Sequence, residues 1–264
     1  MNRTFLTNLL MALAVSMSLL SAQTSSTKVP KPKNQKEAEA LMALFQTQDP
    51  DARIEAANNL VTKFSETEFK ATALYVASFS YQQKGDIENA IVYAEKCLET
   101  DPKYFGAMLT IASGLAQRTK EFDLDREEKL GRSDKMAKAA LELIPTATKP
   151  NPGIPDDQWE AAKKDFSAQA HEAMGMAALV RKKYDVCAAE LGIALANAQQ
   201  PDPSTMVRMA SCHMKMQKWD EATAALDKAL VDPTAAPVVK KAATELKMEI
   251  GRAKAAEKLS LIHI

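Results

Sequence analysis

Glycine is scarce in this chain, 8 residues in 264, and aromatic side chains make up only 6% of it. Both shortages count against sheets and turn-rich folds, which use glycine at tight turns and aromatics on strand faces. Charge of one sign is also missing. Lys+Arg and Asp+Glu both number 34, the formal net charge is zero, and no long run of one sign stands out. That balance offers nothing to attract a polyanion, so nucleic acid is excluded as a partner. Cysteine is down to three residues, Cys97, Cys187 and Cys212, at wide spacings and without a C-x-x-C pair. They form no disulfide framework, and each falls on a predicted helix where a small buried residue is needed. A Cys187–Cys212 bridge in an oxidising compartment is the alternative. Long apolar runs are absent apart from Leu9–Leu20. That run is shorter than the roughly 20 residues of a spanning helix, so no stable membrane span is expected.

What is present is the material of helices packed on helices: alanine, leucine, lysine and glutamate between punctuating prolines. At the N-terminus one arginine precedes the Leu9–Leu20 run, and Ser21-Ala22 and Gln23 follow it. This reads as a secretory signal peptide over residues 1–22, cleaved after Ala22, with a flexible Ser, Pro and Lys-rich leader at 23–34. The expected location is exported, periplasmic or secreted.

From Ala71 the chain reads ATALYVASFSYQQKGDIENAIVYAEKCLETDP. Leu74, Ala77, Ser78 and Tyr81 make one helical stripe, Gly85-Asp86 breaks it, and Ile87, Ala90, Ile91, Ala94 and Leu98 make a second before Asp101-Pro102. Two short antiparallel helices joined by a tight turn is the physical reading. The small residue of the first helix recurs 34 residues after Ser78, at Ala112, and again as Gly175 and Ala210, which are 35 apart. Trp219, Ala222, Leu226 and Ala229 repeat the spacing of Ile87, Ala90, Ala94 and Cys97. Small residues are required where two helices cross closely, because larger ones push them apart.

With Leu74, Ser78, Tyr81, Ala90 and Pro102 in its signature places, this unit resembles a tetratricopeptide repeat. The resemblance implies an all-α fold, a tetratricopeptide-like α-solenoid of antiparallel helix pairs wound into a right-handed superhelix. The expected organisation is an N-terminal helix pair at 35–64, repeats at 71–145, a Pro-rich linker at 146–156, repeats at 157–233 and a capping helix at 237–258. Pro145, Pro150, Pro152 and Pro155 forbid helix through the linker, which should run over the surface and divide the array. The last six residues, LSLIHI at 259–264, match the in-frame translation of a transposon end used in sequencing libraries. They read as an adapter artefact, beyond which the natural chain continues or ends differently.

Nothing in the sequence builds catalytic or metal chemistry. His171 and His213 lie in different repeats with no second ligand one turn away. The acids Asp123, Asp125, Glu127 and Glu128 miss the glycine and the bidentate glutamate of a calcium loop and read as helix-start charges. Met206 and Met209 belong to an apolar stripe, while Met176 and Met214 point elsewhere, toward a surface able to adapt to varied apolar ligands.

In the family resembled, the first helices of successive repeats line a concave groove that binds a peptide or partner protein. Carried over residue by residue, that groove shows Tyr75, Phe79, Gln82 and Gln83, then Leu109, Ser113 and Gln117, then Glu172, Met176 and Leu179, then Val207, Ser211 and Met214. It lacks the lysines and asparagines with which chaperone-binding members clamp a terminal carboxylate. The expected function is an exported, non-enzymatic protein-binding scaffold with no cofactor. A structural, self-associating module and an accessory domain of a larger enzyme truncated at the C-terminus are the alternatives.

Overall fold

The computed structural model describes residues 30–150 and 152–262, with side chains as far as residue 257. The proposed signal segment, most of the leader, and the side chains of 259–264 lie outside the described residues. Eleven α-helices and no strand occur among the described residues. They are α1 (Gln35–Gln46), α2 (Pro50–Lys63), α3 (Lys70–Gln83), α4 (Ile87–Thr100), α5 (Phe105–Arg118), α6 (Arg126–Leu143), α7 (Asp156–Val180), α8 (Tyr184–Asn197), α9 (Pro203–Lys215), α10 (Trp219–Val231) and α11 (Pro237–Ile262). None is long and apolar enough to cross a membrane.

Aspartates open several helices. Asp49 and Asp202 each precede a proline, and their carboxylates accept from Ala52 N and from Ser204 N and Thr205 N. This is the N-cap aspartate followed by proline in the first turn, where the missing N–H costs nothing. In three of the helix pairs the turn between the helices is of one kind. Gly85, Lys182 and Gln217 have φ of 75°, 60° and 59°. At each, two amides close the helix end: Gly85 N to Gln82 O (2.9 Å) and Asp86 N to Tyr81 O (2.9 Å), Lys182 N to Leu179 O (2.9 Å) and Lys183 N to Ala178 O (2.9 Å), Gln217 N to Met214 O (3.0 Å) and Lys218 N to His213 O (2.9 Å). Three stretches of chain thus fold the same left-handed stop.

The described residues separate into two compact units, one of those up to 114 with those from 135 to 163, the other of 115–134 with those from 164 onward. The division falls within α5, α6 and α7, and the proline segment lies inside the first unit. There the chain is non-helical at 147–150 and 152–155, yet Ile154 is buried, Trp159 Nε1 donates to Ala147 O (3.2 Å), and Lys149 Nζ donates to Ile154 O (3.0 Å).

In the first unit α3 lies against α2 on one side and α4 on the other, and Ala71 to Ser78 are buried without a break. The crossing with α4 is close because both contact residues are small: Ser78 and Ala90 are fully buried and the Ser78 hydroxyl donates to the Ala90 carbonyl at 2.7 Å. In the second unit one core cluster gathers Ala210, Met214, Ala222, Leu226, Ala243 and Ile250, and another gathers Ala178, Leu191, Cys187 and Cys212. Cys187 on α8 and Cys212 on α9 are joined by a disulfide, with Cα atoms 6.3 Å apart. The bridge that the sequence left as an alternative is therefore part of this core. Cys97 is a buried free thiol whose ionisation burial suppresses.

Candidate protein-binding surfaces

In the first unit one polar constellation stands out against an apolar background. Arg53, in the first turn of α2, is only 4% exposed. Its Nε donates to Ser80 Oγ at 2.7 Å, its Nη2 donates to Gln83 Oε1, and the guanidinium carbon lies 5.9 Å from the centroid of the Phe79 ring. Ser80 is itself fixed, its hydroxyl donating to Val76 O at 2.8 Å. Burial pushes the Arg53 guanidinium down from its ordinary range, opposed by the field of Asp49. Phe79 is half-buried beneath the cation, and Gln82 and Gln83 are exposed beside it.

In the second unit α7, α8 and α9 enclose a cleft of about 430 Å³ lined by Asp165, Glu172, Gln199, Asp202, Thr205 and neighbouring residues. Its carboxylates are engaged within the unit. Asp165 accepts from Gln199 N and Nε2 at 2.8 and 2.6 Å, and Glu172 accepts from Thr205 Oγ1 at 2.7 Å and Arg208 Nη1 at 3.0 Å. Next to Glu172 on α7, His171 Nδ1 lies 2.7 Å from Glu190 Oε2. On α9, burial lowers the pKa of His213, whose Nδ1 is buried without a hydrogen-bond partner among the described residues.

The predicted groove residues divide between the units. Tyr75, Phe79, Gln82, Gln83, Leu109 and Ser113 belong to the first, and Gln117, Glu172, Met176, Leu179, Val207, Ser211 and Met214 to the second. Three of them are core. Tyr75 is 8% exposed and its ring lies 4.9 Å from that of Tyr104. Leu109 sits in an unbroken buried run from Tyr104 to Ala112. Met214, expected at the surface, packs with Ala210, Ala222 and Leu226. The reason is common to all three: a helix inside a stack is covered by the pair before and the pair after, so a second stripe is buried. Leu179 and Val207 pack on the rims of the two clusters, and Met209 touches both. Phe79, Ser113, Glu172, Met176 and Ser211 are half-buried, and Gln82, Gln83 and Gln117 are exposed.

Arg53, Thr205 and Arg208 lie outside the groove positions that the repeat register points to. For Arg53 a signal existed: it occupies the apolar stripe one turn before Ala57 and two before Leu60, all three buried. A charged residue in such a stripe is rare enough to mark a special environment. Thr205 and Arg208 meet Glu172 across 33 and 36 residues, a proximity no local pattern announces.

Models of the tetratricopeptide repeat match residues 71–104 and residues 204–232. No curated protein matches the chain. Among solved structures, the chain is similar to TTC0263, a thermophilic TPR protein of Thermus thermophilus, at 18% identity with a TM-score of 0.52 over 79% of this chain and 97% of that one. It is also similar to Acl4, the assembly chaperone of RpL4, at 18% identity with a TM-score of 0.54 over 86% of this chain and 90% of that one. The matched segments carry the turns at Gly85 and Gln217 and the small crossing residues Ser78, Ala90, Ala210 and Ala222. The chain therefore contains tetratricopeptide repeats at 71–104 and 204–232, within an all-helical fold of the tetratricopeptide solenoid type.

Proposed function

We propose that this protein is an exported, non-catalytic scaffold whose repeats hold another protein or peptide. The observation that carries the reading is what the first helices leave over once the core is complete. On α3, Gln82 and Gln83 remain exposed beside the half-buried Phe79, and on α7 Glu172 and Met176 remain half-buried. Such a mixture of apolar groups and amides suits a partner segment that is part apolar and part polar. Acl4, one of the fold neighbours, is an assembly chaperone for another protein, which agrees with this use of the fold. Two further features support export: the signal-like N-terminus, and the Cys187–Cys212 bridge, which persists in oxidising compartments and is rare in the cytosol.

The test is photo-crosslinking in cells of the native host, using the full chain. A photoreactive residue at Gln82, on the proposed binding face of α3, should yield a discrete adduct with a different protein. The same residue at Val92, an exposed position on α4, should yield none. Adducts from Val92 alone, or none from either site, would overturn the reading. Adducts of two copies of this chain would replace it with self-association.

A further inference from the structure

We propose that Arg53 is an anchor for a carboxylate of the bound partner, either an acidic side chain or a chain terminus. The inference rests on the scaffold reading and starts from an imbalance. Charged side chains are almost never buried unless paired with an opposite charge. Arg53 is 4% exposed, and its hydrogen bonds among the described residues go to two neutral acceptors, Ser80 Oγ and Gln83 Oε1, with an aromatic ring as its third contact. The acids nearest in sequence make their hydrogen bonds elsewhere, and Asp49 acts on Arg53 only through its field. Asp49 caps α2 by accepting from Ala52 N at 2.8 Å, and Asp51 is paired with Lys84.

The arrangement also leaves part of the guanidinium open. Nε is locked onto Ser80, which is locked onto Val76 O, and the plane is backed by Phe79. Nη1 makes no hydrogen bond within the described chain, and Nη2 is held by the carboxamide of an exposed glutamine. Gln83 can rotate away, and the Nη1–Nη2 edge then presents two parallel donors, the fork that a carboxylate accepts bidentately. An ionised acceptor stabilises a buried cation better than a neutral amide does, and the cation is already oriented before the ligand arrives. This site needs none of the lysines and asparagines whose absence argues against a clamp along the first helices.

The experiment follows the Arg53 Nε–Hε resonance of the ¹⁵N-labelled full chain during titration with three probes. N-acetyl-leucine carries a terminal carboxylate, N-acetylglutamic acid α-methylamide carries a side-chain carboxylate, and N-acetyl-leucine amide is the neutral control. A saturable shift is expected with a carboxylate probe and not with the amide, and the probe that saturates identifies the source. Gln83→Ala, at an exposed position and with its helicity checked by circular dichroism, removes the internal competitor and should lower the concentration needed for half-saturation. Arg53→Gln should abolish the response. Failure of both acids to saturate, or an equal shift with the neutral amide, would overturn the proposal. In that case a surviving crosslink from Gln82 leaves the scaffold reading standing, whereas carboxylate saturation without any crosslink would sink the scaffold instead.

Discussion

At Gly175, on α7, an added Cβ would lie 2.5 Å from Leu191 Cδ2, 2.7 Å from its Cγ and 3.3 Å from its backbone nitrogen. At Gly131, on α6, the same atom would meet nothing within 4 Å. The two glycines therefore predict opposite outcomes for one substitution. Alanine favours a helix interior over glycine by about 1 kcal/mol, and forcing volume into a packed crossing costs about 1–3 kcal/mol. Gly131→Ala should raise the melting temperature, and Gly175→Ala should lower it, because Leu191 is fully buried in the core cluster that holds the disulfide. Thermal denaturation of the two variants checks both signs. The need for a small residue at Gly175, as at Ser78, Ala112 and Ala210, was legible from the 34- and 35-residue spacing. The fate of Tyr75 was not, and for Arg53 the stripe it interrupts marked burial without showing its partners. Sequence periodicity reports one face of a helix, and both residues depend on what a neighbouring helix brings: the ring of Tyr104 in one case, Phe79 and Ser80 in the other.

Three helix pairs turn through one left-handed residue, and glycine fills that place only once, at Gly85. Lys182 and Gln217 adopt φ near 60° with side chains that make this region unfavourable by about 1–2 kcal/mol. Gln217→Gly should relieve most of that, less the extra freedom glycine has in the unfolded chain, for a net gain of about 0.5–1 kcal/mol. A higher midpoint in urea, with an unchanged slope, is the expected result. The sequence announced the turn at Gly85-Asp86 through its glycine and the turn at Lys182-Lys183 only through the lapse of an apolar stripe. The pair α5–α6 departs from this plan. Its connection, Thr119–Asp125, has no left-handed residue, closes through Asp123 accepting from Lys120 N at 3.0 Å, and leaves Phe122 and Leu124 88% and 107% exposed. The acids read in the sequence as helix-start charges serve that role here: Asp125 pairs with Lys129 at 2.9 Å, and Glu127 with Arg181, just past the end of α7, at the same distance.

For the molecule as a whole, the testable consequence is the compartment. Protein purified from its host under non-reducing conditions should show one free thiol on denaturation, Cys97, out of three, and a mature N-terminus at or near Gln23. Three free thiols with Met1 intact would place it in the cytosol instead. Reduction should lower stability by about 3–4 kcal/mol, the loop entropy released by a cross-link spanning 25 residues. The bridge was barely legible in the sequence, because two cysteines 25 residues apart become neighbours only when the turn after Asn197 folds α9 back against α8. Its position has a mechanical meaning as well. A stack of helix pairs, each touching only its neighbours, comes apart one pair after another. Here α11 and α10 can peel away, but α9 stays tied to α8 by a covalent joint that crosses the boundary between pairs. Unfolding that spreads inward through α11 and α10 is arrested at that joint, so a pulling force or a protease working from that side meets a fixed stop before it reaches the cleft beneath.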